Sequence, residues 1–371
     1  MKVTCERDKL LAAFQIAASV APARSPKPIL SNVKLEAGKD GTVLMATDLE
    51  VGVRVQAPGV TADTEGSCLL NVARFGSILR ESGDSVLKIE TDGRSTIVRG
   101  ERSEFRLLAE DPTEYPAVAE FKETGYWELP ARLLKELVRR TVFATDNESS
   151  RYALGGVLLE QQGGKITAVG TDGRRLAVME GPCQATGGYK GADTATIVPT
   201  RAMQLIERTV GDADAEVQVV ARANDVLVRT QRAVIYSRLV EGRFPKWRDV
   251  FPKREGVQRI SLSVGPTFSA VRQAAIVTSE ESRGVDLTFA DGKAVLAGRG
   301  AETGQSRIEL PIAYEGPSIT IALDPRYLTD FFRVLDADKT FTLELKDSDS
   351  AAVCSTDDGY GYVIMPLARD R

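Results

Sequence analysis

The sequence predicts an α+β protein made of three similar domains, each with two helices on one face of antiparallel sheets. Three observations predict it. One pattern of elements runs through the 371 residues three times, extended segments outnumber helical ones, and the helical segments are apolar on one side only.

Each copy opens with a short strand leading into a helix, over Val3 to Val20, Tyr126 to Thr145 and Arg259 to Thr278. An extended pair with a turn follows: Leu30 to Leu35 with Thr42 to Val55, Leu154 to Leu159 with Lys165 to Met179, and Arg283 to Leu287 with Lys293 to Leu310. Val33, Val157 and Val285 hold matching places, 124 and 128 residues apart. A second strand-helix piece comes next, at Cys68 to Ser82, Ala195 to Gly211 and Ile319 to Ala337. Alternating strands close each copy, at Val86 to Leu108, Glu216 to Leu239 and Phe341 to Leu367, with Gly, Asp and Asn marking hairpin turns. Each unit is therefore a βαβββ half written twice. The polar stretches Glu120 to Gly125 and Lys253 to Val257 place the domains at 1–124, 125–252 and 253–371.

Helices lying on one face of a sheet need one apolar and one polar side. On a 100° wheel, the helix after Pro130 packs through Leu134, Leu137, Val138 and Thr141, with Arg132, Lys135 and Arg139 opposite. The helix after Pro199 packs through Ala202, Leu205 and Ile206, with Arg201, Gln204 and Arg208 opposite. In the third unit Leu328, Phe331 and Leu335 face in while Arg326 and Arg333 face out; in the first, Phe75, Ile78 and Leu79 face in and Arg74, Ser77 and Arg80 face out. Three of these arginine pairs are seven residues apart, which aligns each along one stripe.

The net charge is −4, so any affinity for nucleic acid must come from positive charge gathered on one surface. Glu136, Glu207 and Asp330 on or near the stripes would suit ordinary solvated faces. Recurrence of the stripe at equivalent places favours a shared anionic partner. No aromatic platform suits single strands, and no helix carries Asn or Gln arrayed to read bases, so the attraction is to phosphates and independent of sequence.

Histidine is absent, which removes Ser-His-Asp and Cys-His nucleophiles and most catalytic zinc sites. Neither a phosphate-binding loop nor a dinucleotide fingerprint occurs, and the acid pairs Asp212/Asp214 and Asp347/Asp349 read as surface turns. Cys5, Cys68, Cys183 and Cys354 form no ligand or disulfide spacing and read as core residues of a reducing compartment. The charged N-terminus is unlike a signal peptide, and no apolar run reaches the ~18 residues a membrane span needs. These readings predict a cytoplasmic protein that is not an enzyme and needs no cofactor or metal.

Five segments carry a resemblance: Pro28-Ile29-Leu30-Ser31-Asn32-Val33, Ala46-Thr47-Asp48-Leu49-Glu50, Ala168 to Ala177, Leu239 to Pro245, and Tyr362 to Leu367. In their order and spacing the chain resembles the bacterial DNA sliding clamp family over essentially its full length. The resemblance implies a head-to-tail homodimeric ring of the DNA clamp fold, encircling duplex DNA through its helices. It implies as partners the replicative DNA polymerase, the clamp loader and other clamp-binding repair and replication proteins. The DNA-facing set is then Arg24, Arg74, Arg80, Arg132, Lys135, Arg139, Arg201, Arg208, Arg326 and Arg333. Phe105, Ile276 and Val277 match the family's dimer interface by position, and core packing is the other reading of them.

The same resemblance implies a groove that takes a short peptide bearing glutamine and bulky apolar side chains. Its residues would be Leu154, Thr171, Gly173, Arg175, Leu176, Pro245 and Val250, with Val363, Ile364, Met365, Pro366 and Leu367. Alone, Thr171-Asp172-Gly173 marks only a hairpin turn, and Thr47-Asp48-Leu49 fills the matching place in the first unit. Arg174 replaces a histidine common in relatives, while Asp249 and Ala368 replace basic residues, which puts an acidic preference of the peptide in doubt.

Two rivals remain. A carboxylate-based hydrolase needs two acids converging in a pocket. A peptide-binding repeat scaffold that does not encircle DNA would lose nothing on neutralising Arg132, Arg139, Arg201 and Arg208.

Overall fold

The computed structural model describes residues 1–148, 153–192, 194–251, 255–279 and 284–368. The expected domain limit at 252/253, Arg283 and the tail Arg369 to Arg371 lie outside the described residues. Six α-helices occur among the described residues: α1 Arg7–Ala18, α2 Val72–Glu81, α3 Ala131–Arg139, α4 Thr200–Thr209, α5 Val264–Ala274 and α6 Pro325–Arg333. Each is preceded by a strand and followed by at least three, so the βαβββ half recurs six times; Val60–Thr64 and Gln184–Thr186 are additional short strands. Val33, Val157 and Val285 are fully buried.

Contacts divide the chain into two compact units, Met1–Lys135 with Cys183–Leu239, and Glu136–Pro182 with Val240–Arg371. The middle repeat is shared between them because its strands pair with both neighbours. In the first unit Ala233–Arg238 runs antiparallel to Val51–Gln56; in the second Arg175–Pro182 runs antiparallel to Tyr360–Ile364.

The first unit holds a five-stranded sheet in the order Val60–Thr64, Lys2–Glu6, Val86–Thr91, Ser95–Arg99, Glu104–Leu108. Its nine-stranded sheet runs from Gln184–Thr186 at one edge to Gly66–Asn71 at the other. Phe14 of α1 meets Phe75 of α2 edge to face, with centroids 5.1 Å apart, and Leu10 and Leu79 on the same two helices are fully buried. Asn71 caps α2 by accepting the Arg74 N–H at 3.2 Å.

In the second unit one sheet orders Gly156–Gln162, Lys165–Thr171, Arg175–Pro182, Tyr360–Ile364, Ala352–Ser355, Thr340–Leu345 and Gln258–Ser263. A four-stranded sheet orders Gly304–Pro311, Lys293–Gly300, Val285–Ala290 and Ile319–Leu323. Phe331 of α6 stacks on Tyr360 at 5.6 Å and on Tyr362 at 5.3 Å. Asp324, almost wholly buried, caps α6 by accepting the Arg326 N–H at 2.9 Å, and Pro325 supplies the first helical φ.

Two helices end earlier than the wheel implied. Thr141 lies past the end of α3, where its hydroxyl donates to the Leu137 carbonyl at 2.5 Å and a 3-10 turn takes over at Val142. Leu335 lies past the end of α6 and is half-buried. The apolar stripe continues through both turns, which is why periodicity alone overran the ends.

Strand Lys165–Thr171 presses closely on the end of α3, since a Cβ on Gly170 would sit 2.2 Å from the Thr141 carbonyl oxygen. Gly170→Ala is expected to lower stability by about 1–3 kcal/mol, because backbone cannot give way as a side-chain tip can. Gly38→Ala meets nothing within 4 Å and should stay within roughly 0.5 kcal/mol. Denaturant melts of the two variants check the contrast. All four cysteines are buried free thiols; burial pushes Cys68 and Cys354 up to about 12, and Cys5 and Cys183 up to about 11. Among the described residues no helix is long and apolar enough to cross a membrane.

Candidate peptide groove, basic helix faces and open sheet edges

The groove begins with a turn. Asp172 accepts the backbone N–H groups of Arg174 at 2.9 Å and Arg175 at 3.0 Å. The Thr171 hydroxyl accepts from Gly173 at 3.1 Å and donates to the Arg175 carbonyl at 2.6 Å. Gly173 holds φ +87°, which a side chain would strain. The turn delivers Arg175 and Leu176 opposite Ile364 and Val363 in the antiparallel register, and the Met365 N–H continues the ladder to the Arg174 carbonyl at 2.9 Å.

The other wall is Pro245 and the 3-10 turn Trp247–Asp249 with Val250. The Trp247 indole donates to Glu160 at 3.2 Å, and Arg248 pairs with the same carboxylate at 2.8 Å while stacking over the indole at 4.2 Å. Between the walls lies a cleft of about 240 Å³ lined by Leu154, Thr171, Gly173, Arg174, Arg175, Leu176, Pro245, Trp247, Val250, Val363 and Met365. Ile364, Pro366 and Leu367 do not line it. Strand alternation turns the fully buried Ile364 to the other side from Val363, and the Leu367 N–H bonds to the Ala322 carbonyl. Sequence reasoning missed Trp247 and Arg174 as lining residues; an aromatic between Pro245 and Val250 was the available signal.

Arg175 is the best-connected side chain of the groove. Its guanidinium donates to Asp172 at 3.0 Å, Asp330 at 2.7 Å, the Phe143 carbonyl at 2.8 Å and the Tyr362 hydroxyl at 3.5 Å. It lies over the rings of Tyr327 at 4.6 Å and Phe143 at 5.3 Å. Burial raises Tyr362 well above the usual tyrosine range, so its hydroxyl stays neutral and donates to the Tyr327 carbonyl at 3.1 Å.

The cations of the basic faces are exposed as the wheels required except for half-buried Lys135 and Arg139, and they are unequally free. Arg24, Arg74, Arg132 and Arg208 are exposed and make no ion pair among the described residues. Arg80 donates to Ser77 at 3.2 Å, and Lys135 is half-buried. Four others already have carboxylate partners: Arg139 with Glu136 at 3.1 Å, Arg201 with Asp48 at 2.5 Å, Arg326 with Asp324 at 2.6 Å and Arg333 with Asp330 at 3.4 Å. Arg201 also donates to the Val20 carbonyl at 3.0 Å, so it braces α4 against the first repeat as well as pointing outward.

Of the several edge strands, one in each unit carries or adjoins a large exposed apolar side chain. In the first it is Glu104–Leu108, where Phe105 is 39% and Leu108 86% exposed, beside a cleft of about 360 Å³ lined in part by Ile78, Arg102 and Phe105. In the second it is Gly304–Pro311, next to which Ile276 is 78% exposed and Val277 half-buried on the 3-10 turn Ala275–Val277. Core packing is thereby set aside for Phe105 and Ile276. Leu108 escaped sequence reasoning, because a leucine closing a strand reads as core.

Family models of the DNA polymerase III beta subunit match the chain in order: the N-terminal domain over residues 1–119, the central domain over 128–246 and the C-terminal domain over 248–368. The chain belongs to the DNA polymerase III beta subunit family. The beta sliding clamp of Pseudomonas putida is 30% identical over 376 aligned positions, covering 99% of this chain and 100% of that one. That of Chlamydia pneumoniae is 28% identical, covering 99% of each. Among solved structures, a sliding clamp from Pseudomonas aeruginosa bound to griselimycin superposes with a TM-score of 0.91 at 27% identity, covering 100% of both chains. The Bacillus subtilis sliding clamp shares the fold, with a TM-score of 0.90 at 22% identity and full coverage of both chains. The three βαβββ pairs are thus the three domains of a beta subunit.

Proposed function

We propose that this beta subunit is a DNA sliding clamp, with domains at 1–124, 125–252 and 253–371. Two copies join head to tail through the open edges at Phe105 and at Ile276 and Val277. The ring encircles duplex DNA and tethers the replicative polymerase and other clamp-binding proteins through the groove. The observation that supports the reading is the pair of edge strands, Glu104–Leu108 with exposed Phe105 and Gly304–Pro311 with exposed Ile276 on the turn beside it, in a chain matched end to end by one family. Such edges join two different surfaces, and that kind of contact closes a ring only when repeated.

Topological retention explains how a chain of net charge −4 can act on DNA. The DNA-facing arginines need only centre the duplex, while the acidic remainder repels it elsewhere. The chain is read as non-catalytic, cytoplasmic and independent of any cofactor, with a clamp loader opening the ring.

Loading onto circular DNA tests the proposal. After incubation with a bacterial clamp loader, the protein should co-elute with nicked circular duplex in ~0.2 M salt, where phosphate contacts alone are weak. It should be released when the circle is cut. Equal retention on circular and linear DNA, or on neither, would favour the peptide-binding scaffold.

A further inference from the structure

Asp330 lies on α6 between two arginines in unlike surroundings. One carboxylate oxygen accepts from Arg175 at 2.7 Å, in the groove; the other accepts from Arg333 at 3.4 Å, on the basic face. The Arg175 side chain is only 10% exposed and that of Arg333 is 67% exposed. A single carboxylate therefore joins a covered cation that shapes the groove to an open cation on the face assigned to DNA.

The Arg175 fork has fixed donor directions. Asp172 and the Phe143 carbonyl hold one side of it, while Asp330, Tyr362 and the Tyr327 ring hold the other. Leu176, the next residue, forms the apolar wall opposite Val363. Without the Asp330 charge, Asp172 alone neutralises the guanidinium, and the fork loses the anchor that keeps it against α6. On the other side of the carboxylate, Arg333 loses its only described anionic neighbour and offers its full charge to solvent.

We propose that Asp330 is a positioning residue of the groove, holding Arg175 and through it the wall at Leu176, and that it also tempers the charge α6 presents through Arg333. This rests on the groove being a peptide site. It makes the two functions opposed at one side chain: removing the carboxylate loosens peptide capture and strengthens duplex attraction. General loosening of the fold would weaken both.

The test uses the full chain and its Asp330→Asn, Asp330→Glu and Arg333→Gln variants. Peptide capture is read by polarisation of a labelled pentapeptide with an N-terminal glutamine and two bulky apolar residues at its other end. Duplex attraction is read with a short labelled duplex at low salt. Asp330→Asn should bind the peptide about tenfold more weakly and the duplex about twofold more tightly, as expected for one freed cation. Asp330→Glu should recover most of the peptide affinity, and Arg333→Gln should weaken the duplex alone. Unchanged peptide affinity in Asp330→Asn, or weakening of both ligands together, would overturn the inference. Failure of the unmodified chain to bind the peptide at all would instead remove the groove reading, and the inference with it.

Discussion

Val250→Asp combined with Met365→Asp is expected to abolish peptide capture while leaving the fold and the proposed ring intact. Both side chains line the cleft and both are 44% exposed, so the free protein already tolerates water around them. Substitutions at such positions usually shift stability by no more than ~0.5 kcal/mol. A bound apolar anchor would dehydrate both. Each carboxylate would then be dehydrated against the apolar anchor, since the groove's covered cation, Arg175, is already committed to Asp172 and Asp330, and the other lining cation, Arg174, is exposed to solvent. Burying a polar group without a partner costs about 1–3 kcal/mol by protein mutational data, and two together would weaken binding by at least ~30-fold. Titration with the labelled peptide, beside a thermal melt, checks this. Retained affinity would place the peptide elsewhere. A collapsed melt would mean the two side chains hold up the fold and do not merely line a groove.

Ile276→Asp is expected to convert the proposed dimer to a monomer and with it to eliminate retention on circular DNA. The side chain is 78% exposed in the single chain, so charging it costs the isolated chain little. Head-to-tail closure uses each edge once per copy, so one substitution appears at both interfaces. In the proposed joint the facing surface offers Phe105 and Leu108 with the cleft beside them. Its nearest lining charges, Glu81, Asp84 and Arg102, include two acids that an added aspartate would meet unfavourably. The solution mass should halve at micromolar concentration, and six-lobed rings should vanish from negatively stained fields. Phe105→Arg should act in the same direction from the other side. A dimer that survives both variants would place the joint on other surfaces.

Peptide capture and ring closure stand in different relations to the sequence. The repeat, the helix faces and the turn at Thr171-Asp172-Gly173 are local properties. Each depends on residues within about two helical turns or one hairpin, so periodicity and turn chemistry express them directly. That is why six strand-helix starts, the inward faces of α2, α3, α4 and α6 and the basic stripes were legible without coordinates. It is also why the overrun at Thr141 and Leu335 arose: an apolar stripe does not announce where its helix stops.

What the tertiary structure alone decided is pairing between distant segments. Backbone ladders are blind to side-chain identity, so nothing in the strand at Tyr362 names Arg175, 187 residues earlier, as its neighbour. The register that sets Leu176 against Val363 turns Ile364 away from the cleft, although both ending strands read as one apolar run. The charge of a stripe is likewise local, but its neutralisation is not. Asp48 reaches Arg201 from 153 positions away, and Asp330 reaches Arg175 from 155. By itself the sequence determined the repeat, the basic helix faces and the turn at Thr171-Asp172-Gly173 from which the proposed surfaces for DNA, peptide and partner copy are built. Only folding decided which of those charges stay free and which side chains meet in the groove, because both depend on contacts that local periodicity does not encode.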